Sequence, residues 1–164
     1  MAYSTLPTIP LLIFGVIEPL MLGWAYFVNI KDPFSYYADQ VPQHNLNPEQ
    51  HFPGQALSIT MQLGNVLLLL AALAVVCCFS PSSATARWYL VAVAFADYGH
   101  IYATYCSLDP DVFWDPARWN DLVAGSIGAS AVLNVARWLT VLGAFGPLKD
   151  GVGLDNGKVV KKVD

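Results

Sequence analysis

Long apolar stretches separated by polar, proline-rich connections set the pattern of this chain. Four of them, near residues 9–30, 57–79, 87–106 and 123–145, are long enough to cross a bilayer core, which takes about 20 residues at 1.5 Å rise each. All four are expected to be helical, because an open strand in lipid leaves its backbone N–H and C=O groups without partners. The pattern therefore predicts an all-α fold, a transmembrane four-helix bundle over residues 1–148, followed by a flexible cytosolic tail over 149–164. An even number of crossings puts both ends of the chain on one side.

Each apolar stretch is interrupted by polar side chains that lipid cannot satisfy. The first carries Glu18, the second Gln62 and Asn65, the third Asp97 and His100, the fourth Asn134 and Arg137. Counted from the expected lumenal ends, they lie roughly 8–21 Å deep and overlap in height. Gln62/Asn65, Asp97/His100 and Asn134/Arg137 are i,i+3 pairs, so the members of each pair share a helix face. Convergence on a common interior follows, since intramembrane ionisable groups face one another or a cavity. Gly64, Gly99, Gly125, Gly128 and Ala131 are small enough to let helix backbones approach. Pro19 cannot donate to the Gly15 carbonyl, so a helix disturbance is expected beside Glu18.

Arg137 stays protonated and calls for a carboxylate, with Glu18 and Asp97 the candidates. One acid is then ionised and the other lacks a full counter-charge, a division that separates acid and base roles in paired-carboxylate enzymes. His100 adds a group that titrates in the physiological range. Tyr98, Tyr102 and Tyr105, spaced i, i+4, i+7, either line the same pocket or form a packing stripe. The alternative is a purely structural network, in which the same groups lock the helices together. A ligand site needs a cavity of a few hundred Å³ among the polar residues, whereas a structural core is filled by Arg137–carboxylate pairs.

Composition agrees with the membrane reading: 55% of the 164 residues are hydrophobic and 12% charged, against about 25% charged in soluble domains. The net charge is −4 with no basic stripe, which argues against a nucleic-acid partner. Arg87, Lys149, Lys158, Lys161 and Lys162 fall on the side of the termini, and only Lys31 and Arg118 on the other. Both termini are thus expected in the cytosol. The final VKKVD resembles a dilysine retrieval signal of endoplasmic-reticulum membrane proteins. The first stretch is expected to be a membrane helix and not a cleavable signal, because it lacks a basic start, contains Glu18-Pro19 and is long for a signal's apolar region.

The connections carry their own signals. The loop over 31–55 is rich in Pro, Asn and Gln, and that over 107–122 is aromatic and acidic; sharing one face, they are placed to roof a pocket. Cys77 and Cys78, at a cytosolic helix end, are either lipid-facing packing residues or palmitoylation sites. No metal-ligand spacing, phosphate loop or nucleophile elbow occurs. The absence points to acid/base work without a bound cofactor or metal.

The ADYGHIY run, with the E-P of the first stretch, Q-L-G-N of the second and N-x-x-R of the fourth, resembles a family of small fungal four-helix membrane proteins over Glu18 to Gly146. The resemblance implies a place in secondary metabolism, acting on an epoxidised polyketide or terpenoid and associating with other biosynthetic membrane enzymes. By analogy with larger membrane terpene cyclases, Glu18 and Asp97 become candidate catalytic acids; the base is then Asp97 or His100, and sterol-isomerase-like bundles are a second architectural relative. Gln62, Asn65, Tyr98, Tyr102, Asn134 and Arg137 are then the candidate substrate-binding residues. The expected reaction is epoxide opening, by hydrolysis or cyclisation, with a non-catalytic lipid- or sterol-binding module or a scaffold as alternatives.

Overall fold

The computed structural model describes residues 4–42 and 44–150, and among them every regular element is helical. In chain order these are α1 (Thr8–Lys31), the short α2 (Pro33–Ala38) and α3 (Pro48–His51), α4 (Gly54–Cys78), α5 (Ser83–Ser107), the short α6 (Pro110–Phe113), a single 3-10 turn at Pro116–Arg118 and α7 (Asp121–Val141). Three of the long runs, α1, α4 and α7, are long and apolar enough to cross a membrane. The fourth expected crossing, α5, matches α4 in length but is not among these three. Asp97, His100 and its tyrosines dilute the apolar content that would qualify it.

Local chemistry sets the boundaries and the irregular turns. In α1 the stretch Ile13–Ile17 is π-helical, and the Glu18 N–H donates to the Ile13 carbonyl five residues back. Pro19 supplies the reason, since it has no N–H for the Gly15 carbonyl and its ring crowds that turn. A second π turn, Ala124–Ala129, lies within α7 in the glycine-containing AGSIGA. The start of α5 is capped by the Ser82 hydroxyl, which accepts from the Thr85 N–H at 3.3 Å. α7 stops at Val141, short of the expected residue 145, because Gly143 adopts φ 83°. Its N–H donates to Thr140 and the Ala144 N–H to Leu139, the paired bonds of a glycine-terminated helix.

The long helices pack chiefly as two pairs, α1 on α4 and α5 on α7. The pairs meet around Phe14, Ala74, Cys78, Ala86, Leu90 and Val93. α4 turns a face of small residues inward, with Thr60, Gly64, Ala71, Ala74 and Cys78 buried. A Cβ on Gly64 would lie 2.7 Å from Asn29 Oδ1, so this glycine does permit the close approach expected of it. Gly99 and Gly125 have open space instead, Gly128 lies near Trp119, and Ala131 is exposed. Cys78 is sealed in the core and unsuited to palmitoylation as placed, whereas Cys77 is half-buried.

Both ends of the described chain gather with the α4–α5 turn. The Lys149 N–H donates to the Thr5 carbonyl at 3.3 Å, the Ser4 hydroxyl to the Cys78 carbonyl at 2.6 Å, and the Ser83 N–H to the Asp150 carboxylate at 2.8 Å. At the other end the two long connections touch, through Asn120 Nδ2 donating to the Asp39 carbonyl at 2.9 Å. The first is held by Phe34, Tyr37 and Phe52 ring contacts, the second by Phe113 and Trp119 packed with Leu108, Val123 and Ile127. The VKKVD motif, and the expected tail from residue 151 onward, lie outside the described residues.

Candidate functional site

The centre of the structure is Arg137. It is 1% exposed and joins acids from two other helices. Its Nη1 donates to Asp97 Oδ2 on α5 at 2.5 Å, and its Nη2 donates to Glu18 Oε1 on α1. The Phe14 ring lies 5.2 Å from the guanidinium carbon, closing one face with a cation–π contact. One turn earlier on α7, Asn134 Nδ2 donates to the Ala94 carbonyl at 2.7 Å and reaches Asp97 Oδ2 at 3.4 Å. Glu18 is 3%, Asn134 5% and Asp97 9% exposed. Among the described residues Glu18 Oε2 and Arg137 Nε have no hydrogen-bond partner.

Helix phase explains why these residues meet. Asn134, Arg137 and Thr140 repeat every three residues along the buried stripe of α7. Asp97 continues the α5 stripe of Leu90, Val93 and Ala94. Glu18 follows Phe14 and Gly15, displaced from a regular α-helical position by the π turn. The two carboxylates therefore approach one guanidinium from opposite helix pairs. The cluster holds two acids against one permanent cation, a surplus of one acid.

Five of the nine residues expected at this site lie elsewhere. Gln62 and Asn65 are exposed on α4, because its small-residue face packs on α1 and turns the amides outward. Gln62 Nε2 donates to the Ser58 hydroxyl at 3.3 Å. His100 shares the α5 stripe of Val93 and Asp97 by spacing, yet its side chain is exposed and lies outside the buried cluster. Tyr98 and Tyr102 point outward, and the Tyr98 hydroxyl accepts from Trp138 Nε1 at 2.9 Å. α4 thus adds no side chain to the ionic cluster, contrary to the expectation that all four helices would.

Asn29 is a buried amide that the sequence pattern did not single out. It is fully buried in α1, and its Nδ2 donates to the Thr60 carbonyl at 3.0 Å, pinning α1 to α4. The signal was present: Asn29 follows Glu18 by eleven residues, three helical turns, and so shares its face.

A family model for a domain of unknown function, DUF7704, matches residues 3–147. The chain belongs to this family. No curated protein and no solved structure matches it. The DUF7704 domain holds the whole Arg137 cluster and both π turns. Among its described residues, no group of three His, Cys, Asp or Glu side chains is placed to hold a metal ion. A depression of about 520 Å³ in the DUF7704 domain is lined by Gly54, Gln55, Ser58 and Ile59, at the start of α4 and apart from Arg137.

Proposed function

We propose that this DUF7704 protein is a multi-pass membrane protein crossing four times, through α1, α4, α5 and α7. Both ends would face the cytosol from the endoplasmic reticulum, and the Arg137 cluster would serve as the lock that holds its two helix pairs together. The observation that carries this reading is the arginine itself, sealed from solvent and bridging carboxylates of α1 and α5. Sealed charges of this kind suit a filled core rather than a substrate chamber. In lipid, separation of the helices would strand the guanidinium and the acids it bridges, so the lock favours one arrangement of the pairs. The outer surface fits hydrocarbon, with Leu20, Trp24, Val76, Phe95 and Val132 all exposed. The work of such a module is binding, of lipophilic molecules or other membrane proteins, on that outer surface. Protease protection of terminal tags in sealed microsomes tests the topology: tags at both ends cleaved without detergent support it, and protection of either end rejects it.

One observation favours a second reading, acid/base catalysis on a lipophilic substrate. Asp97 reaches the margin of the buried cluster, and His100, one turn along the same stripe, stands exposed. The surplus acid then has a route to a bound molecule. In epoxide opening, Asp97 as a carboxylic acid protonates the epoxide oxygen as the C–O bond breaks. His100 takes the proton of the incoming water or hydroxyl, and Glu18 holds Arg137 in place. The fungal family resemblance supports an epoxidised polyketide or terpenoid as substrate. Asp97→Asn is expected to cut turnover of such epoxides in membranes by about 10²–10⁴-fold; unchanged turnover in folded protein rejects catalysis by Asp97.

A further inference from the structure

The chain treats its intramembrane amides in two ways. Asn29 and Asn134 are buried and donate to carbonyls of a neighbouring helix. Gln62 and Asn65 are exposed, although α4 is one of the helices apolar enough to span a membrane. They sit about 12 and 17 Å along α4 from Gly54, in the middle of a hydrocarbon core about 30 Å thick. The Ser58 hydroxyl meets one Gln62 donor, and the Asn65 amide finds no partner among the described residues. An amide facing acyl chains is costly, and the remedy available at that depth is a hydrogen bond from another helix.

The spacing around them gives that helix a geometry. Ser58, Gln62, Asn65, Leu69, Ala72 and Val76 alternate steps of four and three residues, and all six are exposed. Leu69 is 58% and Val76 68% exposed. Alternating three- and four-residue steps make the seam of a left-handed helix pair, in which a polar residue in the seam fixes register and partner number.

We infer that α4 carries a homodimer seam, in which Gln62 and Asn65 pair with the same residues of a second copy. Two copies inserted with one topology lie parallel about an axis along the membrane normal. Each amide then meets its own counterpart at the same depth. A primary amide offers both a donor and an acceptor, so it satisfies itself across a two-fold axis, which a carboxylate or an ammonium cannot do. The stripe is uncharged and needs no ionic complement from a different protein. The seam is separate from the Arg137 cluster and stands whether or not Asp97 does chemistry.

The test uses purified full-length protein in phosphatidylcholine vesicles, counting subunits by single-molecule photobleaching over a dilution series. Wild type is expected to bleach in two steps, and Q62L/N65L to shift the monomer–dimer midpoint about 10- to 100-fold toward monomer, the loss of two to four interhelical hydrogen bonds. Leucine suits a lipid-exposed helix position, so the thermal melting of the variant should match wild type. Independently, Asn65→Cys in a C77S/C106S background should cross-link into a dimer on mild oxidation, while Trp24→Cys on the exposed side of α1 should not. Wild type monomeric at every dilution overturns the seam, as does undiminished dimerisation of Q62L/N65L or cross-linking through residue 24 in preference to 65.

Discussion

Replacing Arg137 by methionine removes the charge and leaves the bulk, which isolates the electrostatic part of the lock. The structure fixes what is lost: two charge-assisted hydrogen bonds, to Asp97 and Glu18, both well buried. Hydrogen bonds to charged groups contribute about 1.5–3 kcal/mol each, and breaking a buried ion pair by deleting one partner costs about 3–5 kcal/mol, because the other charge is stranded. The expected destabilisation is therefore about 3–5 kcal/mol. The triple variant E18Q/D97N/R137M carries no stranded ion and should recover most of that loss, since a neutral core of similar shape escapes the desolvation cost. Equilibrium unfolding in mixed micelles, followed by tryptophan fluorescence, reads both quantities. A methionine variant as stable as wild type would refute the lock, as would a triple variant no better than the single one.

The Gly64→Ala variant should lose about 1–3 kcal/mol in the same assay, because its Cβ displaces the Asn29 side chain from the Thr60 carbonyl and leaves a buried amide unpaired. Asn29→Ala, which removes the atoms a Cβ at residue 64 would meet, should make Gly64→Ala largely harmless, a coupling that a double-mutant cycle measures. The Asp32 carboxylate caps α2 by accepting from the Ser35 N–H at 3.0 Å and its hydroxyl at 2.8 Å, and these bonds hold it below its ordinary value of 3.8. A lowered folded value stabilises α2 above the ordinary value and loses that support as the pH falls through the lowered one. Amide exchange at Ser35, corrected for intrinsic rates, should thus show protection lost in acid in wild type and already absent at neutral pH in Asp32→Ala. If Asp97 is the reacting acid, Glu18→Gln should reduce epoxide turnover less than Asp97→Asn, because Glu18 lies inside the sealed part of the cluster; a reversed order reassigns the donor.

The long helices and the ionic core were readable for the same reason. A run of twenty apolar residues has few options besides a bilayer or a core, and an arginine among such residues must find its acids. Glu18, Asp97, Asn134 and Arg137 obey that constraint. The amides of α4 obey a weaker one: in lipid Gln62 and Asn65 would call for a polar partner, but the sequence does not say whether it belongs to the same chain. The competing signal was the row of small residues at 60, 64, 71, 74 and 78, which packs more closely on α1 than an amide face could. His100 was misplaced because spacing gives its direction on α5 but not how closely the neighbouring helices cover that face. Asn29 was readable by counting turns from Glu18, whereas the Glu18 phase itself was not, since a π turn breaks the 3.6-residue count.

That broken count has a consequence for how the chain tolerates change. A π turn holds one residue more than the helix around it needs, and every side chain beyond it is rotated by about 100° relative to an uninterrupted helix. Two of the three lock residues sit downstream of such a turn, Glu18 after Ile13–Ile17 and Arg137 after Ala124–Ala129. Excising Val16 would give α1 a more regular backbone while swinging the segment before it out of step with Glu18, Phe14 included. The irregularity acts as a phase adjuster, and smoothing it would mend the helix at the expense of the charge alignment.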